Sequence, residues 1–172
     1  MNESIADQTA PVSFGEKLAG SAAFANLFRD GMALVEETAS YLDGEGRQDS
    51  KKLERSAALA YATESMRLTT RLMQLASWLL LHRAVKEGEM SLAQANKEKT
   101  KVKLSVGEPG DPSTVKLLPQ RLRDLIDRSR KLNDQVRRLD ANIYAPPLAP
   151  DQTSANNPVE RQLGLLKAAF ER

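Results

Sequence analysis

One uninterrupted stretch decides the fold of this chain: ALAYATESMRLTTRLMQLASWLLLHRAVKEGEMS, residues 58–91. It contains no proline, and its first glycine is Gly88. Between Leu72 and Leu81 nearly every residue is apolar, so a helix here has apolar residues on several sides and must be covered by other helices. A chain of 172 residues has few other helices for this purpose. The stretch therefore predicts a helical bundle that packs against a second copy of itself or against a partner.

Hydrophobic periodicity predicts an all-α protein: an antiparallel three-helix bundle over residues 20–144 that is dimeric and carries a flexible C-terminal tail. The three helices are expected at about 21–42, 51–87 and 119–142. Ser21 and Ser50 are suited to cap the first two helices, and the glycines of residues 43–46 are suited to end the first. Gly31 lies inside the first helix, where it indicates either a close approach of another helix or a tolerated glycine.

The second helix carries two neighbouring apolar rows. One row has a seven-residue step and comprises Tyr61, Leu68, Leu75 and His82. The other row comprises Met66, Met73 and Leu80. Because two rows indicate two packing partners, we expect a dimer interface on this helix. The residues predicted for that interface are Leu72, Leu75, Trp78, Leu79 and Leu80.

The third helix has the most regular pattern in the chain. Its apolar positions alternate steps of three and four residues, which is a heptad seam; they include Leu118, Leu122, Leu125, Leu132, Val136, Leu139 and Ile143. The insert before this helix, residues 91–116, is predicted to be irregular, with one or two helical turns at 91–99. Its glycines and prolines between residues 107 and 112 predict a loop.

Both ends of the chain are predicted to be flexible segments, over residues 1–19 and 145–172. The tail begins with a linker rich in proline and polar residues, but residues 158–171 have the pattern of a short amphipathic helix. Its apolar face is the predicted partner-binding segment and consists of Val159, Leu163, Leu166 and Phe170. From these residues alone, docking of the segment on its own bundle is an equal alternative.

The chemical inventory argues against an enzyme. The chain has no cysteine, which excludes disulfides, thiolate zinc sites and cysteine nucleophiles. Its single histidine, His82, lacks a second histidine at helical metal-binding spacing, and its place in an apolar row favours a partly buried structural role. No glycine-rich phosphate-binding motif or nucleophile motif is present. We therefore predict no catalytic, cofactor-binding or metal-binding residues.

The charge distribution allows two interpretations. The net charge is +2, but residues 1–50 carry nine acidic and three basic side chains, whereas the later parts of the chain are net basic. The third helix is basic enough to suggest contact with DNA, yet Asp124, Asp127 and Asp134 lie among its arginines and favour a salt-bridged surface. The longest apolar run is ten residues, about half of what a membrane helix needs. We expect a cytoplasmic protein without membrane contact and with nucleic acid as an improbable partner.

Two blocks of sequence resemble a known family. FRDGMALVEETASYLDGEGR, residues 28–47, and the stretch quoted above, residues 58–91, are similar to the RcdA family, the alphaproteobacterial regulators of CtrA degradation. The similarity continues more loosely into residues 118–144. It implies a homodimer of three-helix bundles without catalytic residues or cofactors.

The resemblance also implies a function. Members of that family act as adaptors that help the ClpXP protease degrade cell-cycle regulators, together with a receiver-domain protein and a cyclic-di-GMP effector protein. A flexible C-terminal segment is implied to contribute. The expected partners are therefore a second copy, ClpXP with these co-adaptors, and a protein cargo. The alternative function is a DNA- or nucleoid-associated helical dimer that uses the basic third helix.

Overall fold

The computed structural model describes residues 17, 21–102 and 110–145. Within them the chain is helical and has no strand, which confirms the predicted class. The helices whose bounds lie within the described residues are α1 (Ala22–Asp43), α2 (Glu45–Lys51), α3 (Arg55–Lys86), α4 (Leu92–Lys99), α5 (Pro112–Val115) and α6 (Gln120–Ile143). The three long helices, α1, α3 and α6, pack on one another in every pairwise combination. The predicted flexible segments at residues 1–19 and 145–172 lie almost wholly outside the described residues.

The direction of α6 differs from the prediction of an antiparallel bundle. Later residues of α3 contact later residues of α6: Arg71 bonds to Ser129, and Trp78 bonds to Asp140. These helices are therefore parallel, whereas α1 runs antiparallel to both. The described parts of the insert between α3 and α6, residues 87–119, reach different ends of α3: Lys99 pairs with Asp140, which bonds to Trp78, and Gly110 lies beside Glu64, nearer the start of α3. A short connection would have forced neighbouring helices to be antiparallel.

The start of the second predicted helix also differs. Residues 51–87 do not form one helix, because α2 ends at Lys51 and α3 begins only at Arg55. Ser50 lies inside α2 and donates to the carbonyl of Arg47, so it caps nothing. Gly46 makes this short helix possible, since a Cβ there would lie 2.5 Å from the Tyr61 hydroxyl. The serine predicted to cap the first helix, Ser21, does accept a bond from the amide of Phe24.

The core lies where α1, α3 and α6 meet. The heptad seam of α6 is confirmed, because Leu122, Leu125 and Val136 are fully buried against the other two helices. Gly31 marks the crossing of α1 and α3: a Cβ at this position would lie 2.5 Å from Cδ1 of Leu79. Of the two interpretations of Gly31, close helix approach is therefore correct.

Candidate interaction surface

Four of the five residues predicted for the dimer interface lie in the protomer core. Leu72, Leu75, Trp78 and Leu79 are almost completely buried against α1 and α6. The fifth, Leu80, is 54% exposed. The prediction assumed that three helices could not cover so wide an apolar run, but α1 and α6 together cover these four residues. The core residues are therefore not available to a partner of the folded protomer.

The outermost row forms an exposed apolar face on α3. Leu59, Met66, Met73 and Leu80 follow one another at seven-residue steps and are 71%, 71%, 66% and 54% exposed. At 1.5 Å per residue this row is about 32 Å long. The residues between its members are small or hydroxylated: Ala62, Thr63, Thr69, Thr70, Ala76 and Ser77. We call these ten residues, none of them charged, the outward face of α3.

Three of the four hydroxyl side chains of the outward face bond to the backbone of their own helix. The hydroxyls of Thr63, Thr69 and Ser77 donate to backbone carbonyls four residues earlier, at distances of 2.9–3.0 Å. Moving a hydroxyl group out of water costs less free energy when it already donates to an acceptor within the protein. The face can therefore be covered by an apolar surface at a small cost. Its methionines are flexible and polarisable, which suits a contact surface.

A buried polar network closes one end of the bundle beneath this face. His82 is fully buried; its Nδ1 lies 2.9 Å from the carbonyl of Trp78, and its Nε2 lies 3.1 Å from the hydroxyl of Tyr144. The Trp78 indole donates to Asp140, which also forms a 2.9 Å ion pair with Lys99. The Lys99 ammonium lies 3.8 Å from the centroid of the Tyr144 ring. The network thus joins α3, α4 and the end of α6.

The electrostatics of this network keep His82 neutral. Burial lowers the pKa of His82, although the Trp78 carbonyl and Asp140 act in the opposite direction. Burial and the nearby Asp140 raise the pKa of Tyr144 to about 12, so its hydroxyl stays protonated and donates to Nε2 of His82. The hydrogen on His82 is then assigned to Nδ1, where it bonds to the Trp78 carbonyl. The predicted structural role of this histidine agrees with its location.

We expect the stability of the protein to fall as the pH is lowered through about 6.5. A histidine whose pKa is lowered by folding binds its proton more readily in the unfolded chain, so acid favours unfolding. One such proton contributes a slope of at most about 1.4 kcal/mol per pH unit. Urea unfolding between pH 7.5 and pH 5 should therefore show a smaller pH dependence for His82→Gln, which retains an uncharged hydrogen-bonding side chain. Equal slopes in both proteins would contradict the role of His82.

Sequence reasoning missed two buried charged side chains of α3, Glu64 and Arg71. Glu64 is buried and bonds to Arg67 at 2.8 Å. Arg71 is also buried and donates to Ser129, and burial is the main cause that lowers its pKa. Both lie at helical spacing from apolar core residues. That spacing was the only signal in the sequence, and charged residues are seldom found in such positions.

Several basic residues of α6 and of the insert pair with acidic neighbours. Arg121 and Arg128 of α6 both pair with Glu37 of α1, at 3.5 and 2.7 Å. In the insert, Lys99 pairs with Asp140 and Lys101 pairs with Glu98. This supports the salt-bridged interpretation of the surface over a phosphate-binding one.

The described residues hold no cluster of histidine, cysteine or carboxylate side chains that could bind a metal ion. Within the same residues, no helix combines the length and apolar character needed to cross a membrane. The predicted partner-binding residues Val159, Leu163, Leu166 and Phe170 lie outside the described part of the chain.

Two known groups of proteins are similar to this chain. The family described as "Protein of unknown function (DUF1465)" matches residues 15–170, and so includes the tail segment as well as the helices. RcdA from Caulobacter crescentus CB15, known from a crystal structure, is 52% identical; the match covers 76% of this chain and 98% of that chain, with a TM-score of 0.63. No curated protein matches the chain.

Proposed function

The chain belongs to the RcdA family (DUF1465), and on that basis we propose that it is a non-enzymatic adaptor for regulated proteolysis. In this proposal it assists ClpXP in degrading cell-cycle regulators in the cytoplasm, through contacts with a receiver-domain co-adaptor, a cyclic-di-GMP effector protein and a protein cargo. The observation that carries the proposal is the outward face of α3. An uncharged strip about 32 Å long is unusual on a surface otherwise rich in charge, and such strips mark protein contacts.

We further propose that this face joins two copies of the chain. Its residues are arranged almost symmetrically about the bond between Thr69 and Thr70, in the order Leu59, Met66, Met73, Leu80. A twofold axis at that point would pair α3 with its symmetry copy in the antiparallel direction. Leucine would then face leucine and methionine would face methionine, as an isologous interface requires.

The size of the face predicts a reversible dimer. A helix strip about 32 Å long and roughly 10–12 Å wide covers roughly 300–400 Å² in projection. A standard interface buries about 800 Å² per partner. The neighbouring elements must therefore contribute, and we expect association to depend on concentration in the micromolar range. This differs from the obligate interface of about 2,000 Å² or more in total that core residues of α3 would have formed.

The tail is the second surface in this proposal. Val159, Leu163, Leu166 and Phe170 would share one side of a helix, and the family match extends to residue 170. Four apolar residues do not stabilise so short a helix in water when it is isolated. Such a segment folds when its apolar side enters a groove on another protein.

The double change Leu166→Ser and Phe170→Ser tests the tail. Each buried side chain contributes about 1.5–3 kcal/mol, part of which is offset by the ordering of the segment. We expect cargo degradation by reconstituted ClpXP to slow by at least tenfold at limiting adaptor concentration, with dimerisation unchanged. The matched control is Arg161→Ser with Ala168→Ser, on the opposite side of the same helix. Equal degradation by the double variant and the wild type would remove the tail from the proposal.

A further inference from the structure

An apolar groove lies between the last turns of α3 and the end of α4, at one end of the outward face, with which it shares Ser77 and Leu80. Its volume is about 450 Å³. It is lined by Ser77, Leu80, Leu81, Ala84, Glu98, Lys101 and Val102. Its two charged residues pair with each other at 2.8 Å, so neither of them demands a charged ligand. A volume of this size lies within the roughly 300–1,000 Å³ of ligand pockets and admits one or two large apolar side chains.

The tail leaves the bundle next to this groove. Tyr144, which ends α6, contacts His82 of α3 and Lys99 of α4. The groove is lined by Leu81, the residue before His82 on α3, and by Lys101, two residues after Lys99. Because two residues of chain span at most about 7 Å, the residues that Tyr144 contacts lie within that distance, Cα to Cα, of residues that line the groove.

We propose that residues 158–171 of this chain dock in the groove, with Leu166 and Phe170 filling it. The linker from 146 to 157 contains twelve residues, three of them proline, and spans roughly 20 Å as a coil and about 37 Å as an extended polyproline-like chain. A linker of either length is long enough to place residues 158–171 beside the groove. Tethering at this length gives an effective concentration on the order of millimolar, so even weak binding keeps the segment docked much of the time.

The docked tail regulates the adaptor. This part of the inference rests on the proposed function, because the residues that fill the groove are the ones proposed to bind a partner. A partner must displace the tail from the groove, so its apparent affinity is reduced by the fraction of tails that are free. When the partner displaces the tail, the groove is exposed as well. The partner can then contact a second apolar surface on the bundle.

The absence of native cysteine allows a direct test by cross-linking. The variant Ala84→Cys with Ala169→Cys places one thiol in the groove and one beside the apolar side of the tail segment. The control, Ala141→Cys with Ala169→Cys, places the first thiol on an exposed position of α6 that is closer to the tail along the chain. A short bifunctional maleimide should cross-link the groove pair within one chain at least fivefold faster than the control pair. Leu166→Ser with Phe170→Ser should abolish that preference.

Two outcomes would overturn the docking. Equal or slower cross-linking of the groove pair would mean that the tail samples the surface without a preferred site. A product of twice the chain mass would assign the groove to the tail of a second copy. Because the isolated protein is used without protease, failure of this experiment leaves the adaptor proposal standing. Failure of cargo delivery, in turn, would leave the cross-linking result unchanged.

Discussion

Replacing Leu79 by Asp should unfold the bundle, whereas the same replacement one residue later, at Leu80, should leave it folded. The Leu79 side chain is fully buried against Gly31 of α1, and Leu80 is 54% exposed on the outward face. Truncating a buried leucine costs about 2–5 kcal/mol, and burying a carboxylate without a partner adds several more. That total approaches the whole stability of a typical domain, about 5–15 kcal/mol.

Circular dichroism and urea unfolding distinguish the two variants. We expect Leu79→Asp to lose its cooperative transition, and Leu80→Asp to remain within about 0.5 kcal/mol of a wild-type monomer, as is usual for surface substitutions. A folded Leu79→Asp protein would show that α1 and α6 do not cover this part of α3. An unfolded Leu80→Asp protein would show that the outward face is not a free surface.

The second large effect is expected from Met66→Asp combined with Met73→Asp. In an antiparallel pair of α3 helices, the two changes would bring four carboxylates together near the twofold axis. Juxtaposed like charges cost several kcal/mol, and about 3 kcal/mol corresponds to a dissociation constant raised more than 100-fold. Sedimentation velocity at micromolar concentration should therefore show a monomer with wild-type helix content.

The matched control places the same two charges on α1, with Ala33→Asp and Ala39→Asp at exposed positions. This protein should associate like the wild type. If the control dissociates equally, general charge repulsion explains the effect and the outward face has no special role. If the Met66 and Met73 variant still forms the wild-type dimer, the interface lies elsewhere.

The sequence predicted the helical class and the buried seam of α6 because periodicity reports which side of a helix is covered. Leu122, Leu125 and Val136 recur at the expected steps and are buried. Periodicity carries no information on the direction of a helix relative to its neighbours. The parallel arrangement of α3 and α6 depends on the path of the insert, whose irregular composition has no period to interpret.

The same limit explains why four of the five residues predicted for the dimer interface lie in the protomer core. An apolar run such as Leu72–Leu81 shows that a helix is covered on several sides, but not which side faces its own chain. Leu79 and Leu80 are adjacent and chemically identical, and only the positions of α1 and α6 separate core from surface. The network of His82, Tyr144 and Asp140 could not be predicted from the sequence either. His82 and Tyr144 are 62 residues apart, as are Trp78 and Asp140, and only the fold brings them together.

The measurement closest to the central claim is the rate at which reconstituted ClpXP degrades an adaptor-dependent cargo. The reaction would contain the receiver-domain co-adaptor and the cyclic-di-GMP effector protein, and this protein would be titrated into it. The adaptor account predicts a saturable acceleration that is lost with Leu166→Ser and Phe170→Ser and retained with Arg161→Ser and Ala168→Ser. A degradation rate that does not change at any concentration of this protein would contradict the account.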